Sequence, residues 1–222
     1  MMIVNIHSHV KDFFSYRGVI SSLRLIFYSK EARVMKVIAI CGSPRPQGNT
    51  YHLLQKAIRV LNQQGIDTDY VSLHEKNIQP CIACGKCAKE KNRCAQEDDF
   101  NALFEVMGQA DGLIVGSPVY FGSATPDLMA LLDRAGYVAR NGDNVFARKV
   151  GSPIVVARRA GTNFTYAQLL YFFMIMGMVV PGSTYWPIAY GREQGEVLKD
   201  EEGMRTITNL AENIAWLLKK VR

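Results

Sequence analysis

At 222 residues the chain is long enough for one domain with a substantial core, and its composition (48% hydrophobic, 21% charged, no repeat or low-complexity run) excludes fibrous, repeat and disordered classes. Half of the formal net charge of +6 lies in residues 1–34, where five basic residues face two acidic ones, and no Lys/Arg cluster with interleaved aromatics marks a nucleic-acid groove. No apolar stretch reaches the roughly 20 residues needed to span a bilayer, so no membrane partner is expected.

Residues 1–34 mix aromatic and basic residues without a helical or strand period. Ser21, Ser22 and Arg24 break their best apolar run, so they do not read as a secretion signal. They are expected to form a poorly ordered extension, the alternative being an arm that packs on a partner subunit. A cytoplasmic location follows as an expectation. Five cysteines, four of them within fourteen residues, fit a metal or redox site rather than a secreted disulfide framework.

From residue 35 onward, strands and helices alternate. An apolar strand at 37–41, ending in Cys41 as a buried small hydrophobe, leads into the loop GSPRPQGNT at 42–50. Gly42 and Gly48 permit tight turns. Helix-start N–H groups, with Ser43, Asn49 and Thr50, can wrap a phosphate, and Arg45 can add charge. The loop is neither G-x-G-x-x-G nor G-x-x-x-x-G-K-[ST]: Asn49 stands where the lysine would be, so one terminal phosphate suits it better than a triphosphate. The alternative is an ordinary strand–helix turn. Leu53, Leu54, Ala57, Ile58 and Leu61 then mark a helix, and 70–73 a second strand.

Cys81, Cys84, Cys87 and Cys94 follow as C-x2-C-x2-C-x6-C. Thiols this closely spaced fit a compact loop around an iron–sulfur cube, with Lys86, Lys89, Lys91 and Arg93 to offset its charge. A structural zinc site usually draws on two separated C-x-x-C knuckles, though zinc and free redox thiols stay open as alternatives. Asp98 and Asp99 are placed to cap the helix marked by Phe100, Leu103, Phe104 and Met107. His52 and His74 lack a ligand-like partner.

The third strand, at 113–115, runs into Gly116-Ser117-Pro118-Val119-Tyr120-Phe121-Gly122-Ser123. Adjacent aromatics at the carboxyl end of a central strand are placed to border a planar ring, with backbone groups on its polar edge. Leu128, Leu131, Leu132 and Val138 mark the next helix. Asp133 and Arg134 read as a structural charge pair at its end. A strand at 154–156 leads to Arg158, Arg159 and Gly161, which offer backbone donors and positive charge to a flavin edge, surface solvation being the alternative for both arginines. Leu169, Leu170, Phe173 and Met176 mark the fourth helix, and 178–180 the fifth strand. Tyr185, Trp186 and Tyr190 are expected in core or subunit packing, and Met204 to Val221 carries the last helical stripe. Apolar strands without alternation imply a parallel sheet buried on both faces. Five strands alternating with five helices give a doubly wound, three-layer α/β/α sandwich, with ligands beyond the carboxyl ends of the strands.

Over residues 35–222 the chain resembles the NADPH-dependent FMN reductase group of flavodoxin-like proteins, and within it the iron–sulfur flavoproteins. The resemblance rests on Gly42-Ser-Pro-Arg with Gly48-Asn-Thr50, on the four cysteines with Asp98-Asp99, and on Ser117-Pro-Val-Tyr-Phe-Gly122. It implies that Ser43, Pro44, Arg45, Gly48, Asn49 and Thr50 hold the FMN phosphate. Pro118, Val119, Tyr120, Phe121 and Gly122 would line the isoalloxazine, and the four cysteines would ligate a [4Fe–4S] cluster. It further implies a homo-oligomer, dimer or tetramer, with NAD(P)H or a ferredoxin-like protein as electron donor. Met129 departs from the group, where many relatives have lysine. The expected function is an FMN-dependent oxidoreductase that passes electrons from a reduced donor to an acceptor. Two alternatives are an NAD(P)H-dependent FMN or quinone reductase whose cysteines bind zinc or no metal, and a non-enzymatic electron carrier.

Overall fold

A computed structural model describes residues 34–221. The expectation for 1–34 therefore lies outside the described residues, except for Val34. In chain order the elements are β1 (Lys36–Cys41), α1 (Asn49–Gln63), β2 (Asp67–Ser72), α2 (Phe100–Gln109), β3 (Gly112–Pro118), α3 (Pro126–Arg140), β4 (Val150–Ala157), α4 (Thr162–Ile175), β5 (Ile188–Tyr190) and α5 (Glu201–Lys220). The strands pair in parallel in the order β2-β1-β3-β4-β5, the flavodoxin-like winding expected above.

Alternation of side chains along each strand sorts the core into two layers. Ile38 and Ile40 of β1 face a cluster shared with α2, α3 and α4, while Val37, Ala39 and Cys41 face α1 and α5. Leu53, Leu54, Ala57 and Leu61 form the buried stripe that seats α1 on the sheet. Close seating requires Gly116 in β3: a Cβ there would lie 2.9 Å from both Leu54 Cδ1 and Thr50 Cγ2.

The fifth strand differs from the sequence expectation. Residues 178–180 give only a single bridge, Val150 to Val179, and the paired strand is Ile188–Tyr190. Pro153 supplies the reason. Gly151 N–H donates to Val179 O and Val155 N–H to Pro187 O, so the edge-facing donor between them would be that of residue 153. Proline has none, and the chain leaves the edge of β4 there before returning at 188. Tyr185 and Trp186 lie in this excursion, half exposed, their rings in contact at 4.9 Å and tilted by 58°, rather than in the core.

The start of α5 and the end of β5 meet at Asp200. Its Oδ1 accepts from Gly203 N–H as the helix cap, and its Oδ2 accepts from Tyr190 N–H at 2.7 Å. At α2 the expected capping is divided: Asp98 Oδ1 accepts from Phe100 N–H, whereas Asp99 Oδ2 accepts from Asn77 N–H. Among the described residues no helix is long and apolar enough to cross a membrane.

Candidate functional site

The loops after β1, β3, β4 and β5 converge on one cleft of about 270 Å³ at the carboxyl edge of the sheet. The first loop is pinned from outside, since Gly42 N–H donates to Gly116 O and Thr125 Oγ1–H donates to Gly42 O at 2.7 Å. It is folded from inside by Arg45 N–H donating to Ser43 Oγ and by Gly48 N–H donating to Arg45 O. Ser43, Arg45, Gly48, Asn49 and Thr50 line the cleft. Thr50 is buried in the first turn of α1, and its Oγ1 has no hydrogen-bond partner. A buried hydroxyl left unmatched costs free energy unless a ligand meets it. The Asn49 amide is engaged elsewhere, donating to Gly191 O and Glu193 O at 3.0 Å each, so it ties α1 to the loop after β5.

Pro118, Val119 and Tyr120 line the opposite side of the cleft. Beyond them the chain turns back through a two-residue hairpin. Tyr120 N–H donates to Ser123 O and Ser123 N–H to Tyr120 O, with positive φ at Phe121 (52°) and Gly122 (82°). Gln168 of α4 holds the turn, its Oε1 accepting from Ser123 Oγ–H and Ala124 N–H. Phe121 and Gly122 do not line the cleft, and the Phe121 ring is fully exposed at the tip of the turn. Pro44, Arg159 and Gly161 also stand outside the lining, and it is Arg158 that borders the cleft. Gly161 instead closes the loop after β4 against the hairpin: it has φ 89°, and a Cβ would lie 2.9 Å from Val119 Cγ1. Gly191 and Arg192 are lining residues that the sequence reading missed. The rule that ligands bind after strand ends would have found them had β5 been placed at 188–190.

The cysteines build a second cavity. Cys81, Cys84, Cys87 and Cys94 all border it, together with Ile82 of the same loop and Tyr137 and Val138 of α3. Cys81 and Cys84 are exposed, Cys87 is buried in a short 3₁₀ turn (Lys86–Ala88) and Cys94 is half-buried. The loop coils through three residues with positive φ, Ala83 (52°), Gly85 (69°) and Asn92 (59°). Asn101 of α2 brackets Cys94, accepting from its N–H and donating to its carbonyl, both at 2.9 Å. Among the described residues, no three of His, Cys, Asp or Glu converge tightly enough to grip a single ion.

Arg134 is the residue that the sequence reading misplaced. It lies in the body of α3, not at its end, and its partner is Asp98 rather than Asp133. The side chains of Arg134 and Asp98 are 1% and 2% exposed. Both terminal nitrogens bond the carboxylate; Nη1 also donates to Gln79 O and Nη2 to Cys94 Sγ at 3.1 Å. The guanidinium packs over the Phe100 ring at 4.2 Å. Burial works against both charges. The bonds from Arg134 and from the Gln79 and Phe100 N–H groups outweigh it at Asp98, whose pKa falls below the ordinary carboxylate value. The bonds to Asp98 and Cys94 likewise outweigh burial at Arg134, whose pKa lies above its ordinary value. The two sites share α3: Thr125 at its start fastens the first loop, and Arg134, nine residues on, touches Cys94. That is about 13 Å along the helix axis.

Comparison with known proteins agrees with this geometry. A family model described as NADPH-dependent FMN reductase matches residues 35–193. An iron-sulfur flavoprotein of Methanocaldococcus jannaschii is 37% identical over 200 residues, covering 85% of this chain and 100% of that protein. One from Methanosarcina thermophila is 31% identical over 192 residues, covering 85% and 97%. Among solved structures, RosB with a bound 8-demethyl-8-formylriboflavin-5′-phosphate intermediate superposes with a TM-score of 0.68 at 19% identity, over 85% of this chain and 80% of that one, a likeness of fold alone.

Proposed function

The chain belongs to the NADPH-dependent FMN reductase family, and from that premise we propose that it binds FMN in the cleft and a [4Fe–4S] cluster in the cysteine cavity. It is an FMN-dependent oxidoreductase. The observation that carries the cluster reading is the gathering of all four cysteines around one cavity, in a chain that also holds a cleft at the carboxyl edge of its sheet.

The residues present fit FMN. Thr50 offers an unmatched buried hydroxyl at the start of α1, where helix N–H groups favour an anion, and Arg45 and Arg192 bring positive charge to the same cleft. Tyr120 flanks the cleft mouth and Arg158 borders it, a cation placed to favour an anionic ring edge. The donor set of the second cavity fits a cluster. Four soft thiols, closely spaced in the chain, border one cavity, the donor type that iron–sulfur clusters use. The relatives named iron-sulfur flavoproteins support the same reading.

Bound in these places, FMN supplies two-electron chemistry and the cluster one-electron chemistry. The chain's own residues do the rest. The first loop fixes the phosphate end, the Pro118–Tyr120 segment borders the ring, and α3 links the two sites. No protein nucleophile is required. The donor is NAD(P)H or a ferredoxin-like protein, and the protein works as a homo-oligomer. The exposed apolar face of α4, with Tyr171, Met174 and Ile175 beside a groove of about 720 Å³, supports assembly.

Anaerobic mixing of the purified protein with NADPH, and separately with reduced ferredoxin, tests the donor. Bleaching of the flavin band with steady NADPH turnover identifies the pyridine-nucleotide enzyme. Reduction by ferredoxin alone identifies an electron-transfer protein fed by one-electron carriers, and reduction by neither contradicts the reading.

A further inference from the structure

We propose that Arg134, with Asp98, is the positioning pair of the cysteine site: it clamps the neck of the 81–94 loop and sets the reduction potential of the group held there. The inference rests on the cluster reading above and extends it to residues outside the cysteine motif.

Three observations carry it. First, the pair grips both sides of the neck. Gln79, two residues before Cys81, donates its N–H to Asp98 Oδ2 and accepts from Arg134 Nη1 through its carbonyl, at 2.9 Å each. Cys94, at the far side, accepts from Arg134 Nη2 through its sulfur. One guanidinium on a rigid helix therefore fixes where the loop starts and where it ends. Second, Arg134 is the one cationic residue that is buried among the described residues, and it borders the cavity, with a buried Nε–H that has no partner. Lys86, Lys89, Lys91 and Arg93 are all exposed, where water screens them. The charge that acts at close quarters is the buried one. Third, the donor reaches a ligand sulfur directly. A hydrogen bond to a thiolate, and a cation beside it, stabilise the more negative reduced cluster, and such outer partners tune metal sites.

The two members of the pair act with opposite sign. Losing Arg134 removes the bond to Cys94 Sγ and lowers the potential, whatever protonation state Asp98 then takes. Losing the Asp98 charge leaves Arg134 uncompensated and raises the potential. A residue that served only to hold the fold would not move the potential in two directions.

The experiment is a redox titration followed by electron paramagnetic resonance on anaerobically purified wild type, Arg134→Met, Asp98→Asn and the double variant, each first assayed for iron, sulfide and FMN. The expected order of cluster potentials is Asp98→Asn above wild type, then the double variant, then Arg134→Met at or below it. Each single step is about a tenfold shift in the reduction equilibrium, or about 59 mV for a one-electron couple. If Arg134→Met retains FMN but loses its cluster, Asp98→Asn decides. A raised potential there supports the pair, and an unchanged one overturns it. Equal potentials in all variants with clusters intact overturn the proposal while leaving the cluster reading in place. Wild type without iron and sulfide removes the cluster reading itself, a result distinct from the other.

Discussion

Thr50 keeps a hydroxyl in the protein interior with nothing to bond it, and that defect is informative. In the ligand-free protein, Thr50→Val should be neutral or mildly stabilising, because an orphaned polar group is replaced by an isosteric apolar one. FMN binding should move the other way. A lost bond to a charged phosphate is worth about 1.5–3 kcal/mol, so the dissociation constant should rise about ten- to a hundredfold in a fluorescence titration. An unchanged affinity would remove Thr50 from the phosphate site.

Asp98 gives a pH-dependent counterpart. Its folded pKa lies below the ordinary value of 3.8, so as pH falls the unfolded chain takes up this proton first. The stability contributed by Asp98 is therefore complete above about pH 4 to 5 and drains away as pH drops through the depressed folded value. Thermal melts of metal-free protein should show a lower Tm at neutral pH for Asp98→Asn, with a shallower acid decline than wild type. An equally steep decline would contradict the assignment. Arg134 shows what the sequence concealed at this scale. It sits among Leu131, Leu132, Ala135 and Val138, on the apolar stripe of α3. A lone arginine on a buried face was visible in the pattern, but its partner is 36 residues away and no local spacing names it.

Among the elements, β1, α1 and β3 were legible because their apolar runs are long and their loops carry turn-formers. The fifth strand was not. Residues 178–180 (MVV) look more strand-like than 188–190 (IAY), and only the missing N–H of Pro153, a neighbour in space, separates them. Legibility of the cleft followed from this. Ser43, Arg45, Gly48, Asn49 and Thr50 after β1 and Pro118, Val119 and Tyr120 after β3, all singled out from the sequence, line the cleft, while Gly191 and Arg192 were lost with the misplaced strand. The outward Phe121 ring was equally hidden, since two positive φ values at 121 and 122 aim the turn away from the cleft.

Two substitutions test the element ends. Asp200→Ala removes the α5 cap and the acceptor for Tyr190 N–H together, and should lower stability by about 1–2 kcal/mol in denaturant melts. Gly161→Ala forces a Cβ into a φ of 89° and against Val119. It should cost about 1–3 kcal/mol and weaken FMN binding through the displaced 119–122 turn. Stability and affinity both unchanged would show that the turn is not held from this side.

For the whole molecule, the arrangement of layers places the cleft at the carboxyl ends of the strands and the cysteine cavity on the flank where α2 and α3 pack. A single helix, α3, with its capping Thr125, carries contacts to both and ties the cleft and the cysteine cavity to one scaffold, an arrangement that the proposed two-centre reading would use. The most direct test of that account is the composition of the protein purified without oxygen: an ultraviolet–visible spectrum with flavin, iron and acid-labile sulfide assays. The account predicts flavin bands over a broad shoulder, with iron and sulfide equal at about four of each per FMN. Flavin alone, with neither iron nor sulfide, would contradict it.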